Sequence, residues 1–214
     1  MADYEKLKKR VEELAQRTWD DEGIKARFRE LRLRGIQEKV LSRDEIIANK
    51  QKILDRVQRR GEEYEYLSHS CAKGSALAVM EEFGMGNMEI IKALSPFPGF
   101  GMTGWICGAV TGSLIALGLY FGSDDLLNYE GTGRTMTAAR TFIPRFEEEV
   151  GSILCPKIQE DIVFGRYTDP RGSAENFESF KRDKGYEKCS LLPGIGARIA
   201  SEIIIDSMEG ERSS

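Results

Sequence analysis

The 214-residue sequence predicts an all-α fold: a helical bundle around a central glycine-rich apolar helix, with an N-terminal helical extension. Three observations carry that expectation. Apolar residues recur every three or four positions along most of the chain, while the two-residue alternation of a half-buried strand is almost absent. Glycine and proline fall at the edges of these periodic stretches, where helices start and stop. One stretch, Gly104 to Gly122, is almost wholly apolar but is broken by five glycines, the mark of a buried helix that lets neighbouring backbones approach.

In the first 66 residues, Leu7, Val11 and Leu14 repeat at helical spacing, as do Ile24, Phe28 and Leu31. Ser42-Arg43-Asp44-Glu45 fits a capping box, and the helix it opens would carry Ile46, Ile47, Ile53, Leu54 and Val57 towards a partner surface. With 17 Lys/Arg against 15 Asp/Glu, neither sign dominates this segment, so it reads as a solvated helical hairpin rather than a basic DNA-binding arm. From Leu67 the texture changes. "SHSCAKGSALAVMEEFG" reads as a helix closed by Gly84, "NMEIIKAL" as a short helix stopped by Pro96 and Pro98, and "PFPGFGMTG" as a loop feeding the apolar helix. "GRTMTAARTFIPRFEEEVGS" is amphipathic, with Pro144 expected to bend or divide it. "DPRGSAEN" reads as a linker, and "ENFESFKRDKG" and "IGARIASEIIIDSMEG" as closing helices. The expected division is a charged extension, 1–66, and a four-cysteine domain, 67–214.

The apolar run barely reaches membrane-spanning length and has no Lys or Arg anchor at either end, so a core helix is expected and a membrane span is not. A net charge of −4 offers no field to gather nucleic acid. The charged N-terminus has no apolar h-region like that of a secretory signal, so a cytoplasmic protein is expected.

The chemistry lies in the four cysteines, Cys71, Cys107, Cys155 and Cys189, all after residue 66 and none in a CxxC pair. Each sits at or near an expected helix start, where unpaired N–H groups favour thiolate. Four thiolates meeting at one point would hold an iron–sulfur cluster (2Fe-2S or 4Fe-4S), with Gly101, Gly104, Gly108 and Gly112 leaving backbone open for N–H···S contacts. Small buried core residues are the competing explanation. A four-Cys zinc site is chemically allowed but lacks knuckle spacing, and structural disulfides do not suit a reducing compartment.

"Cys107-Gly108-Ala109-Val110-Thr111-Gly112" reads CGAxxG, with one cysteine before it and two after. That order resembles the C-GCAxxG-C-C family, described as redox-active. The lead "GFGMTGW", the segment "GSILC" and the closing "KCSLLPGIGARIASEII" are similar to the family as well, over about residues 67–208. The resemblance implies redox chemistry and cluster binding through the four cysteines, without a substrate, and does not cover residues 1–66.

His69, two residues before Cys71, is a helix cap or surface residue on one reading, and a hydrogen-bond donor to a cluster sulfur, a ligand or a proton relay on another. Gly104, Gly108 and Gly112 are candidates for the same supporting shell. "LPGIG" at 192–196 looks like the hairpin of helix-hairpin-helix DNA-binding modules. Alternatively, Pro193 and Gly194 make a turn that aims Cys189. Glu202 and Asp206 oppose phosphate binding there. Trp105, Tyr120, Phe97, Phe100 and Phe121 are expected to shield the core and any cluster. Arg134, Arg140 and Arg145 read as a solvated helix face before an anion site. The expected function is electron transfer to or within a partner redox enzyme, with a cluster-free thiol–disulfide oxidoreductase as the alternative. The apolar helix and the extension suggest a homodimer.

Overall fold

A computed structural model describes residues 2–39 and 42–210, so residues 211–214 of the expected second domain lie outside the described residues. The chain is all-α, 74% helical, with no strand among the described residues. Helices α1 (Tyr4–Gln16), α2 (Asp21–Arg34) and α3 (Arg43–Ala48) lead into the long α4 (Lys50–Ser68). Then follow α5 (Cys71–Phe83), α6 (Met88–Ala93), α7 (Gly99–Met102), α8 (Gly108–Phe121) and α9 (Tyr129–Val150). The chain closes with α10 (Cys155–Ile158), a π-helical turn (Gln159–Val163), α11 (Ala174–Arg182), α12 (Gly185–Cys189) and α13 (Leu191–Gly210).

Local chemistry sets most boundaries. Asp3, Asp20, Asn87, Asn128 and Ser173 cap their helices by accepting a first-turn N–H, which satisfies amides that have no partner within the helix. Gly84 ends α5 in a left-handed conformation, φ +62°. The capping box at Ser42 does not form: Ser42 is the N-cap residue of α3 but its side chain makes no capping bond. The helix expected from there is also interrupted, because Asn49 leaves helical geometry and divides α3 from α4. Pro144 lies inside an unbroken α9.

Helices α4, α5, α8 and α13 form the core, and α9 covers the far side of α8 and α13. Their close crossings use glycine. A Cβ on Gly112 would stand 2.1 Å from the Ala72 carbonyl oxygen, and one on Gly61 would stand 2.7 Å from that of Pro193. The backbones of α8 and α5, and of α4 and α13, therefore touch where any side chain would separate them. The helix that packs on all of α4, α5, α8 and α9 is α13, whose Ile195, Ile199, Ile204 and Ile205 are all buried, whereas the expected central helix α8 packs on α5, α9 and α13. Pro193 and Gly194 form no hairpin turn but lie within α13, and Gly194 packs against Gln58 and Glu62 of α4. Proline is tolerated there because the first-turn N–H needs no intrahelical acceptor.

The expected boundary at residues 66 and 67 falls within α4, whose Ile53, Leu54, Val57 and Tyr64 are buried in the common core. Leu7, Val11, Leu14, Ile24 and Leu31 are buried too. No helix among the described residues is long and apolar enough to cross a membrane.

Candidate functional site

The cysteine-bearing segments meet at one end of the core. Cys71 opens α5, Cys107 is the N-cap residue of α8, and Cys155 opens α10. Cys189 is the last residue of α12 and stands two residues before α13, near a helix start as expected. Two of the segments are tied by an isolated antiparallel bridge, Ile106 to Leu154. On either side of it, Cys107 N–H donates to the Ile153 carbonyl and Cys155 N–H to that of Trp105, both at 2.8 Å. The bridge explains why the apolar helix begins at Gly108, since Trp105 and Ile106 are used as extended backbone.

All four cysteines are free thiols. Cys71 and Cys107 hydrogen-bond to each other, and that contact, with burial, holds the Cys71 pKa well above the usual thiol value. Burial and the proximity of Cys71 push Cys155 up to about 12. Burial, then Cys155, Glu65 and Cys71, push Cys189 up as well. At Cys71, Cys155 and Cys189 the expected thiolates are therefore corrected to neutral thiols, because desolvation and mutual repulsion outweigh the field of a helix terminus. Among the described residues, no three His, Cys, Asp or Glu side chains stand at the spacing of a formed metal-ligand shell.

The supporting residues divide. Gly108 touches the site: its N–H bonds to the Cys71 sulfur, and a Cβ there would lie 2.4 Å from that sulfur. Gly112 instead meets Ala72 and Ser75 in the helix crossing, and Gly104, at φ +71°, faces Tyr167 and Pro156. Gly101 approaches Pro96 and Thr103. His69 is the left-handed C-cap of α4 and stacks on Tyr186, ring centres 3.6 Å apart. Burial lowers its pKa. Trp105 and Phe100 do not seal the site as expected, being 58% and 47% exposed. Arg134 and Arg145 are engaged by Glu130 and by Glu202 with Asp206 respectively, as a solvated helix face would be.

Two residues of the site were missed in the sequence. Gln159 Nε2 donates to Cys155 Sγ at 3.6 Å, and its Oε1 accepts the Thr168 N–H at 2.8 Å, which fixes the amide's orientation. Its position four residues after Cys155, one helical turn, was the available signal. Glu65 is buried, accepts the Ser70 N–H, and has a second carboxylate oxygen with no partner. Burial lifts its pKa to about 8, and its charge is felt by Cys71, Cys155 and Cys189. Val57, Gly61 and Glu65 share a four-residue spacing, so the stripe that buries the first two buries the third.

The result is a pocket of four free thiols and a carboxyl, in which burial raises the pKa of Cys71, Cys155, Cys189 and Glu65. Such a set can release protons to bind a soft cation or, in the thiols, to form a disulfide.

Residues 69–203, more than half of the chain, match the family described as "Putative redox-active protein (C_GCAxxG_C_C)". The chain belongs to this C_GCAxxG_C_C family. All four cysteines fall within the match. The box of this C_GCAxxG_C_C member reads Cys107-Gly108-Ala109, with its first two residues in the reverse order of the family label. That reversal places a glycine directly against Cys71. No curated protein and no solved structure matches the chain.

Proposed function

We propose that the chain is a redox protein whose Cys71, Cys107, Cys155 and Cys189 hold an iron–sulfur cluster and pass electrons to a partner redox protein in the cytoplasm. The observation that carries this reading is the convergence of four free thiols from four separate segments beside the buried Glu65. The donor set fits the group in chemistry: thiolate is the ligand of iron–sulfur centres, and a cationic iron core would offset the charge of the deprotonated sulfurs. The thiols are neighbours rather than a finished shell, so binding requires side-chain rotation and loss of their protons.

A bound cluster would supply one-electron chemistry. The chain's own residues do the rest. Gly108 N–H and Gln159 Nε2 donate to sulfur, which steadies negative charge there. The α5–α8 crossing excludes water from behind Cys71. Exposed Trp105, whose backbone is bonded to Cys155, offers an apolar contact for a partner close to the sulfurs.

Anaerobically purified protein is expected to be coloured, to contain iron and acid-labile sulfide, and to give an electron paramagnetic resonance signal after reduction. Cys107→Ser should lose most of the iron; full iron content and an unchanged spectrum in that variant would overturn the ligand assignment. A second reading, a Cys71–Cys107 dithiol that oxidises to a disulfide, draws on the direct hydrogen bond between those two thiols alone. Colourless protein that loses two titratable thiols on mild oxidation would select it.

A further inference from the structure

Beside the thiols lies a cleft of about 460 Å³ whose walls include Ser68, His69, Ser70, Lys73, Arg171 and Tyr186. That volume lies within the range of small-molecule sites. Pro98 and Met102 close its other side, and both also approach the sulfur pocket. The Pro98 Cα is 3.2 Å from the place of a Cβ on Gly108, the glycine that touches Cys71. A Cβ on Gly99 would meet both Met102 Sδ, at 3.5 Å, and Cys155 Sγ, at 3.9 Å.

Several of its polar side chains have no partner within the described residues. Ser70 is 6% exposed, and the Oγ atoms of Ser68 and Ser70 are buried without a hydrogen-bond partner. Ser70 is also the N-cap residue of the 13-residue α5, yet its hydroxyl does not cap that helix. An N-cap serine ordinarily spends its oxygen on a first-turn amide, so both the hydroxyl and the positive end of the helix dipole remain for something else. Lys73 and Arg171 bring two cations, and neither has an ion-pair partner among the described residues. Elsewhere in the molecule most such groups are paired, as Arg17 is with Glu62 and Arg198 with Glu149. The acids nearest the cleft do not line it: Glu187 acts on His69, Asp169 Oδ1 accepts the Arg171 backbone N–H at 2.8 Å, and Glu65 is turned to the Ser70 N–H.

We infer that this cleft is a binding site for a small molecule bearing an oxyanion group, held by Lys73 and Arg171 and by the hydroxyls of Ser68 and Ser70, next to the thiol pocket. The site gives the chain a place for a reactant of its own, beyond the passage of electrons. It does not depend on what the thiols hold.

Isothermal titration of the full-length chain with sodium phosphate, sulfate and acetate, at ionic strength fixed with chloride, tests the inference. At least one of the three should bind saturably with one site per chain. Arg171→Gln and Lys73→Gln should each weaken it by about tenfold, the scale of one lost charge-assisted contact. Ser70→Ala should weaken it less, and Arg134→Gln on α9 should leave it unchanged. Thermal melts of each variant show whether the fold is retained. Heat that never saturates, or binding unaltered in folded Arg171→Gln and Lys73→Gln proteins, would overturn the proposal. Because binding is read without redox turnover, its failure leaves the iron and thiol assays standing, and their failure leaves the titration standing.

Discussion

Glu62 and Glu65 lie three residues apart on α4, both buried, and they have opposite surroundings. Glu62 faces the N-terminal helices, where Arg17 Nη1 reaches it at 2.9 Å and Arg10 Nη2 at 3.3 Å. Glu82, on α5, is likewise held by Arg56, with Nε at 2.8 Å. Burial pushes the Glu82 carboxyl up, but Arg56, Lys39 and Arg60 outweigh it and leave its pKa below the usual value. Glu65 faces the thiols, has no cation against it, and is lifted to about 8. A buried charge is normally paired because its desolvation is expensive. The paired carboxylates therefore report on how the extension is fastened, while the unpaired one marks where the interior is prepared for something that the chain itself does not supply.

The largest loss of stability is expected where both regions are fastened to the same scaffold. Gly112→Leu drives a side chain into the Ala72 carbonyl and Ser75, so it should destabilise the fold by about 3 kcal/mol or more in denaturant titrations and release any iron.

Removing Arg10 and Arg17 together, as methionines, gives Glu62 the surroundings of Glu65. The loss should be about 3 kcal/mol at pH 8 and shrink at pH 4, where Glu62 takes up a proton. An equal loss at both values would show that packing, not charge, was removed.

Glu65→Gln should act in the opposite direction. The folded pKa of Glu65 lies above its ordinary 4.5. Iron-free protein is thus most stable below pH 4.5 as far as this group is concerned, loses stability as pH rises towards 8, and levels off above it. The variant should be more stable than the parent by up to about 5 kcal/mol at pH 9, the size of a rise from 4.5 to about 8, and little different at pH 4. Denaturation midpoints across that range read both limbs, and a parallel pair of curves would refute the unpaired carboxyl.

Gln159→Leu strips Cys155 of its donor and leaves the Thr168 N–H unpaired, for a loss of about 1 kcal/mol. The smallest effect is expected from Arg134→Ala. Its exposed pair with Glu130 should be worth less than about 0.5 kcal/mol.

How much of this was legible beforehand varies with the range of the cause. Caps and stops are local, and Gly84, Asn87 and Ser173 act where their residue types indicate. Ser42 and Pro193 misled because the same residue types admit more than one local outcome, and packing of α3 and α13 chose between them. The four cysteines stood out by their number and order, but their protonation did not. Helix position predicted thiolate at Cys71 and Cys155, whereas the density of surrounding atoms and the nearness of other acids make them neutral. Glu65 was hidden among the acids of "GEEYEY", where only the face of α4 separates a solvated carboxylate from a buried one.

By itself the sequence determined that the chain is helical, where most helices begin and end, and which sulfur atoms it offers, because periodicity, capping and residue type act over one or two turns. Packing in three dimensions was needed to fix that Cys189 closes a helix, that Gln159 and Glu65 join the thiols, and that Cys71, Cys155 and Cys189 are protonated. Desolvation and through-space repulsion depend on groups far apart in the chain, and no stretch of sequence contains them all.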